Sequence, residues 1–284
     1  MISGIVPLLN PDKRGIPYLE AIESWAEVVD EMIVVTDIEL GPVSTEKERF
    51  FSEIVAAAKG KCEVAIKGIL RPYEHNVFRM FGYFFARKPD WVVHFDADYL
   101  VSLEQARKLR LHIDEADDDV DCITYELVYL NYDATSLFVN RDFEKWFPPK
   151  SGYSVYFPFV VNPRNGNFLC PFEGHANNGL YINFEGIINM GDRWGLSYFT
   201  KYGMDTPHFN VTQTDVQVEH LSWSMGLEFL EKKLQHEFWV SENVGMKEVM
   251  EGHYGYGITY PILERVTERY GVVRREWEES QGVS

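Results

Sequence analysis

Asp90-Trp91-Val92-Val93-His94-Phe95-Asp96-Ala97-Asp98-Tyr99 is an apolar run that stops abruptly in two carboxylates at alternate positions. Residues 91–95 read as a buried strand, an apolar run in which His94 is the one polar residue. If the chain stays extended through the pair, both carboxylates point to the same side. At the carboxyl edge of a parallel sheet, such a pair can hold Mg²⁺ or Mn²⁺ through oxygen ligands while the ion neutralises a diphosphate. The plain alternative is a strand-end turn that favours Asp for its local hydrogen bonding.

Upstream, residues 2–9, 32–36 and 62–67 form three further short apolar strands, separated by helical patterns. The second helix opens with Thr45-Glu46-Lys47-Glu48, a capping box, and places Phe50, Phe51, Ile54, Val55 and Ala58 on one stripe. A third helix spans residues 79–87. Downstream, Ser102-Leu103-Glu104-Gln105 is another capping box, followed by Leu103, Ala106, Leu109 and Ile113 at helical spacing. Strands separated by helices of this length imply right-handed crossovers and a parallel sheet covered on both faces, with ligands at the carboxyl ends of the strands. The expected fold class is α/β: a Rossmann-like, mostly parallel central sheet flanked by helices.

The second half is less regular. Residues 122–130 and 135–139 suggest a hairpin around Asn131-Tyr132-Asp133, residues 153–161 and 216–223 read as strands, and a helix follows to about residue 239. Residues 278–284 look like a frayed polar tail. No linker, repeat or low-complexity tract separates the halves, so a single domain over 1–284 is expected.

Apolar residues make up 45% of the 284-residue chain, which excludes a disordered protein. The formal charge of −17 repels phosphate backbones and anionic lipids, so nucleic acid and membrane surfaces are poor partners, and a phosphorylated ligand needs a cation or a few placed basic groups. Cys62, Cys122 and Cys170 are too few and too scattered for a disulfide scaffold or zinc cluster, which points to the cytoplasm. The opening MISGIVPLLNP reads as a buried first strand and not as a signal peptide or transmembrane segment, so the glycosylation pattern Asn210-Val211-Thr212 is discounted. A dinucleotide-binding dehydrogenase would need G-x-G-x-x-G after the first strand, where Val6-Pro7-Leu8-Leu9-Asn10 has no glycine. No G-x-S-x-G nucleophile elbow occurs either.

The segment KPDWVVHFDADYLV resembles the Asp-x-Asp segment of GT-A glycosyltransferases, family 2 and its relatives in particular. NPDKRGIPYLEAIESWAEVVDEMIVVTD is similar to that family's opening, and the helix over 79–87 matches as well. The likeness covers about the first 105 residues well and the rest loosely. Glu219-His220-Leu221-Ser222-Trp223, followed by a Lys-containing helix, is similar to a His-x-Ser-Trp segment of some family 2 and family 17 transferases.

The resemblance implies a GT-A domain whose residues 1–105 bind a nucleotide-sugar donor and whose residues 106–284 bind the acceptor, a carbohydrate or other hydroxyl-bearing molecule. It implies metal ligation by Asp96 and Asp98, Asp96 also lying against the donor. His220 becomes a third ligand or a diphosphate contact; the plain alternative is a core histidine bonded to a backbone carbonyl. Asp37 falls where the family sets an acidic group against base or ribose, and Pro7 where backbone contacts to the base are expected. Arg79 is placed to reach the donor phosphates, against the ordinary reading of a solvated or ion-paired side chain. The family's Gly-Ser-Thr-Asp loop is replaced here by Ile38-Glu39-Leu40-Gly41-Pro42-Val43-Ser44, which leaves the nucleotide open.

Family 2 inverts, and an inverting transferase needs a carboxylate to deprotonate the acceptor hydroxyl. Glu173, in Pro171-Phe172-Glu173-Gly174-His175, is preferred, with Asp192 and Asp215 as further candidates; each also has a turn or capping reading. Aromatic clusters at Trp146-Phe147-Pro148-Pro149, residues 153–159 and His253-Tyr254-Gly255-Tyr256-Gly257 divide between core and acceptor platform. Two alternatives stay open: a catalytically inactive carbohydrate- or nucleotide-binding relative, and a sugar nucleotidyltransferase, which would ordinarily open with a Gly-rich loop absent here.

Overall fold

The computed structural model describes residues 1–8, 15–36, 45–66, 82–130, 134–137, 154–165, 168–172, 178–183, 186–191, 210–221, 224–236 and 254–282. The first half runs β1 (Ile2–Leu8), α1 (Tyr18–Trp25), β2 (Glu31–Thr36), α2 (Thr45–Ala57), β3 (Cys62–Ile66), β4 (Trp91–His94), β5 (Tyr99–Leu100) and α3 (Leu103–Asp114). There follow β6 (Cys122–Tyr129), β7 (Ser136–Leu137), β8 (Ser154–Val161), a 3₁₀ turn (Pro163–Asn165), β9 (Phe168–Phe172), β10 (Asn178–Asn183) and β11 (Gly186–Gly191). The chain then forms β12 (Val211–His220), α4 (Leu227–His236), β13 (Tyr254–Gly255) and α5 (Pro261–Ser280).

Among the described residues eight strands form the main sheet in the order β3-β2-β1-β4-β8-β6-β12-β5. The first four are parallel, β8 runs antiparallel to both β4 and β6, β12 is parallel to β6, and β5 is an antiparallel edge on β12. This is the α/β architecture expected of the sequence and implied by the GT-A resemblance. A three-stranded antiparallel sheet, β9 to β11, and a small β7–β13 pair lie outside it.

β1 and β2 read as unbroken apolar runs because both faces are covered. Ile2, Val6, Leu8, Met32 and Val34 join the core formed with α1 and α2, while Ile5, Ile33 and Val35 face the helical residues at 82–85, where a Cβ on Gly82 would stand 2.6 Å from Ile5 Cγ2. α1 carries Tyr18, Ala21, Ile22 and Trp25 at one-stripe spacing and buries all four. Trp25 stacks on Phe95 at 4.8 Å and donates its indole N–H to the Tyr99 carbonyl at 3.0 Å, so its polar atom is satisfied inside the core.

Ser102 caps α3 as expected, its hydroxyl accepting from Gln105 N–H at 3.3 Å. The reciprocal half of that capping box is not formed. Gln105 Oε1 instead accepts from the backbone N–H of Gln217 at 2.9 Å, at the irregularity where β12 slips its register against β6. The side chains of Thr45 and Glu46 lie outside the described residues. Among the described residues the hairpin expected after β6 shows one bridge, Leu130 with Leu137, while β6 takes its ladder partners from β8 and β12 and β7 pairs with β13. β12 starts earlier than expected, at Val211.

α5 corrects the expectation of a frayed tail: residues 278–280 end a twenty-residue helix with Pro261 in its first turn. Leu263, Val266 and Tyr270 are buried on one stripe, and Arg265 and Arg269 pair with Glu23 and Glu20 of α1. Among the described residues no helix is long and apolar enough to cross a membrane.

Candidate metal and donor site

The sheet order reverses between β1, whose chain continues to β2 on one side, and β4 on the other, and the carboxyl ends of such strands frame a ligand crevice. Pairing of β1 with β4 ends at Ile5 and His94, while β1 stays paired with β2 through Leu8. Phe95 N–H donates to the Ile5 carbonyl, so the odd residues of β1 turn their backbone groups toward β4. Pro7, which has no N–H to give, therefore sits on that side just past the last β4 pair, where the absent donor leaves no broken ladder bond.

Asp96 follows β4 and is 7% exposed. The extended geometry expected for the Asp pair is not what the chain adopts: residues 97–98 form a turn closed by Tyr99 N–H donating to the Asp96 carbonyl at 3.1 Å. The reason is topological. β5 pairs with β12 at the far edge of the sheet, beyond β8 and β6, so the chain must leave the line of β4 at once.

That turn delivers Asp98 to the end of β12. Leu221 N–H donates to the Asp98 carbonyl at 2.8 Å, His220 faces Tyr99 across the β12–β5 pair, and Leu130 N–H donates to the His220 carbonyl at 3.0 Å. His220 Nε2 comes within 3.5 Å of Asp98 Oδ2, with side chains 15% and 19% exposed. The imidazole is held between the rings of Tyr99 and Tyr129, each with its centroid 4.6 Å away. Its Nδ1 is buried and has no hydrogen-bond partner among the described residues, so the bond to a backbone carbonyl expected of an ordinary core histidine is not made there.

A separation of 3.5 Å is long for a charged hydrogen bond, and it approaches the roughly 3 Å between adjacent ligands of one ion at ~2.1 Å from each. Among the described residues no group of three or more His, Cys, Asp or Glu side chains could hold a metal ion. Asp98 and His220 are two groups, too few among the described residues for a closed structural site; an ion held there would need water and ligand oxygens to complete its shell.

Asp37, Arg79, Glu173 and Asp192 lie outside the described residues, as do Ser222 and Trp223 of the His-x-Ser-Trp segment and the cluster at 146–149. Asp215 does not reach the site. It is an exposed side chain on the α3 flank, where a hydrogen bond from Lys108 at 2.5 Å, outweighing slight burial, lowers its proton affinity and suits it poorly to a base.

Glu219 carried no sequence signal of its own, yet it is the most buried carboxylate described, at 1% exposure. It accepts from Tyr256 Oη at 2.8 Å and Tyr260 Oη at 2.9 Å. Burial pushes its carboxyl up to about 7, against the opposing pull of those two hydrogen bonds. Tyr256, assigned above to core or acceptor platform, belongs to this cluster.

No family model matches the chain, and no curated protein matches it. Among solved structures it is similar to S. aureus TarS in complex with UDP-GlcNAc, with 21% identity over 46% of this chain and 34% of that one and a TM-score of 0.30. The chain spans about a third of that TarS chain. It is also similar to glucosyl-3-phosphoglycerate synthase from Mycobacterium tuberculosis in complex with Mn²⁺, uridine-diphosphate and phosphoglyceric acid, with 16% identity over 78% of this chain and 70% of that one and a TM-score of 0.38. At these values neither likeness bears on the reaction.

Proposed function

We propose that the protein is a metal-dependent GT-A glycosyltransferase that moves a sugar from a nucleotide-diphosphate sugar to an acceptor hydroxyl with inversion. The observation that carries this reading is the meeting of Asp98 with His220, two residues far apart in sequence, at the end of β12. A histidine whose Nε2 faces a carboxylate and whose Nδ1 has no hydrogen-bond partner among the described residues suits ligation better than packing.

In this reading Asp98 and His220 hold a Mg²⁺ or Mn²⁺ ion, and Asp96 completes the carboxylate pair against the donor. Bound there, the ion supplies Lewis-acid stabilisation of the departing diphosphate. The chain's own groups orient the donor: the end of β1 around Pro7 offers backbone to the base, Asp37 takes the ribose or base, and Arg79 the phosphates. Glu173 accepts the acceptor's proton as its oxygen attacks the anomeric carbon. The chain forms one domain, with donor-binding residues 1–105 and acceptor-binding residues 106–284, and works in the cytoplasm.

Release of nucleotide diphosphate from a panel of UDP-, GDP-, CDP- and dTDP-sugars, with wild type and Asp98→Asn, tests this. Turnover of one donor that falls at least a hundredfold in the variant is expected, and turnover undiminished by the substitution removes the metal role. Binding of donor with no turnover by wild type would favour the inactive binding relative.

A further inference from the structure

Resting on that reading, we propose that Glu219 is a positioning residue: with Tyr256 and Tyr260 it fixes the end of β12 so that His220 faces Asp98. Successive side chains of a strand alternate, so Glu219 and His220 project to opposite faces of the same terminal segment. His220 is the last residue of β12, and on its own face it meets two aromatic rings and, at 3.5 Å, the Asp98 carboxylate, while its Nδ1 has no hydrogen-bond partner among the described residues. What directs its imidazole is therefore the backbone beneath it. That backbone is tied at Leu130, at Asp98 and, through Glu219, to the stretch that leads into α5.

The stretch itself is firmly anchored. Tyr254 and Gly255 pair with Leu137 and Ser136, Tyr256 N–H donates to the Thr135 carbonyl at 2.8 Å, and Tyr260 is the N-cap of α5. Both Glu219 oxygens are used, one by each tyrosine, so the carboxylate bridges β12 to two points of one short loop. A carboxylate and tyrosine cluster placed only for stability would be replaceable as a whole by apolar groups of similar size at little cost. One that sets the direction of a ligand would not be.

The test is Mn²⁺ binding, without nucleotide, followed by electron paramagnetic resonance for wild type, Asp98→Asn, Glu219→Leu, Glu219→Gln and the Tyr256→Phe/Tyr260→Phe double variant, alongside thermal unfolding of each. Wild type should bind and Asp98→Asn should not. Glu219→Leu and the double tyrosine variant should bind about tenfold more weakly while still folding, in line with the cost of losing outer-shell support. Glu219→Gln, which keeps an acceptor for one tyrosine and a donor to the other, should restore most of the affinity. If Asp98→Asn abolishes binding but Glu219→Leu and the double variant leave it at the wild-type value, the positioning role is refuted and the metal site stands. If wild type binds no Mn²⁺, the metal reading fails and the inference with it. Should Glu219→Leu not fold, the double tyrosine variant decides alone, since it removes only two hydroxyl groups.

Discussion

Replacing Gly4 by alanine sets the packing around the Asp-pair strand against a single methyl group. A Cβ at this position would lie 2.9 Å from Val29 Cγ1 and 3.2 Å from Phe95 Cε1, both inside comfortable contact. Neither neighbour yields cheaply. Val29 is β-branched and its carbonyl is held by Lys61 Nζ at 2.9 Å, while Phe95 is stacked on Trp25. Over-packing of this kind costs about 1–3 kcal/mol, and the reduced freedom of the unfolded chain returns about 0.4–1 kcal/mol. The expected net loss is about 1–2 kcal/mol, read by urea unfolding with an unchanged m-value. In a Val29→Ala background the closer clash is gone and only the 3.2 Å approach to Phe95 remains, so the loss from Gly4→Ala should fall to about half or less. An equal loss in both backgrounds, or no loss in the first, refutes the packing argument.

Trp25→Phe should cost about 2–3 kcal/mol by calorimetry, because it shrinks the stack on Phe95 and leaves the buried Tyr99 carbonyl without its indole donor; a loss below about 0.5 kcal/mol would contradict that account. Asp30 is pushed up by partial burial but drawn down further by hydrogen bonds from Arg110 and the Ile2 N–H, leaving its proton affinity below the usual carboxylate value. A lowered folded value means stability present above the unfolded value and lost as pH falls through the folded one. Asp30→Asn should therefore lower the melting temperature at neutral pH and flatten its decline in acid, whereas an unchanged acid slope would show the ion pair to be inert.

The first four strands were legible because burial on both faces writes itself as unbroken apolar runs, and the polar interruptions between them fell at helices. Ser102 was legible as a cap for the same local reason, but the true partner of Gln105 lies in β12, and no local pattern could reveal it. α5 repeats Leu263, Val266, Tyr270 and Trp277 at helical spacing, a signal obscured by the charged residues between them, of which Arg265 and Arg269 pair with α1. The carboxylates at 96 and 98 were visible as chemistry, yet their turn is imposed by the distant edge position of β5. Only a family resemblance brought His220 to Asp98. Glu219 looked like one polar residue in a strand, and Tyr256 like one more aromatic, because their bond joins segments that no periodicity connects.

Calorimetric titration of UDP, GDP, CDP and dTDP, with Mn²⁺ and with EDTA, into wild type and Asp98→Asn tests the donor site most directly. Binding of one diphosphate that requires Mn²⁺ and is lost in Asp98→Asn is the predicted result; binding of none, or binding that survives both EDTA and the substitution, would contradict it.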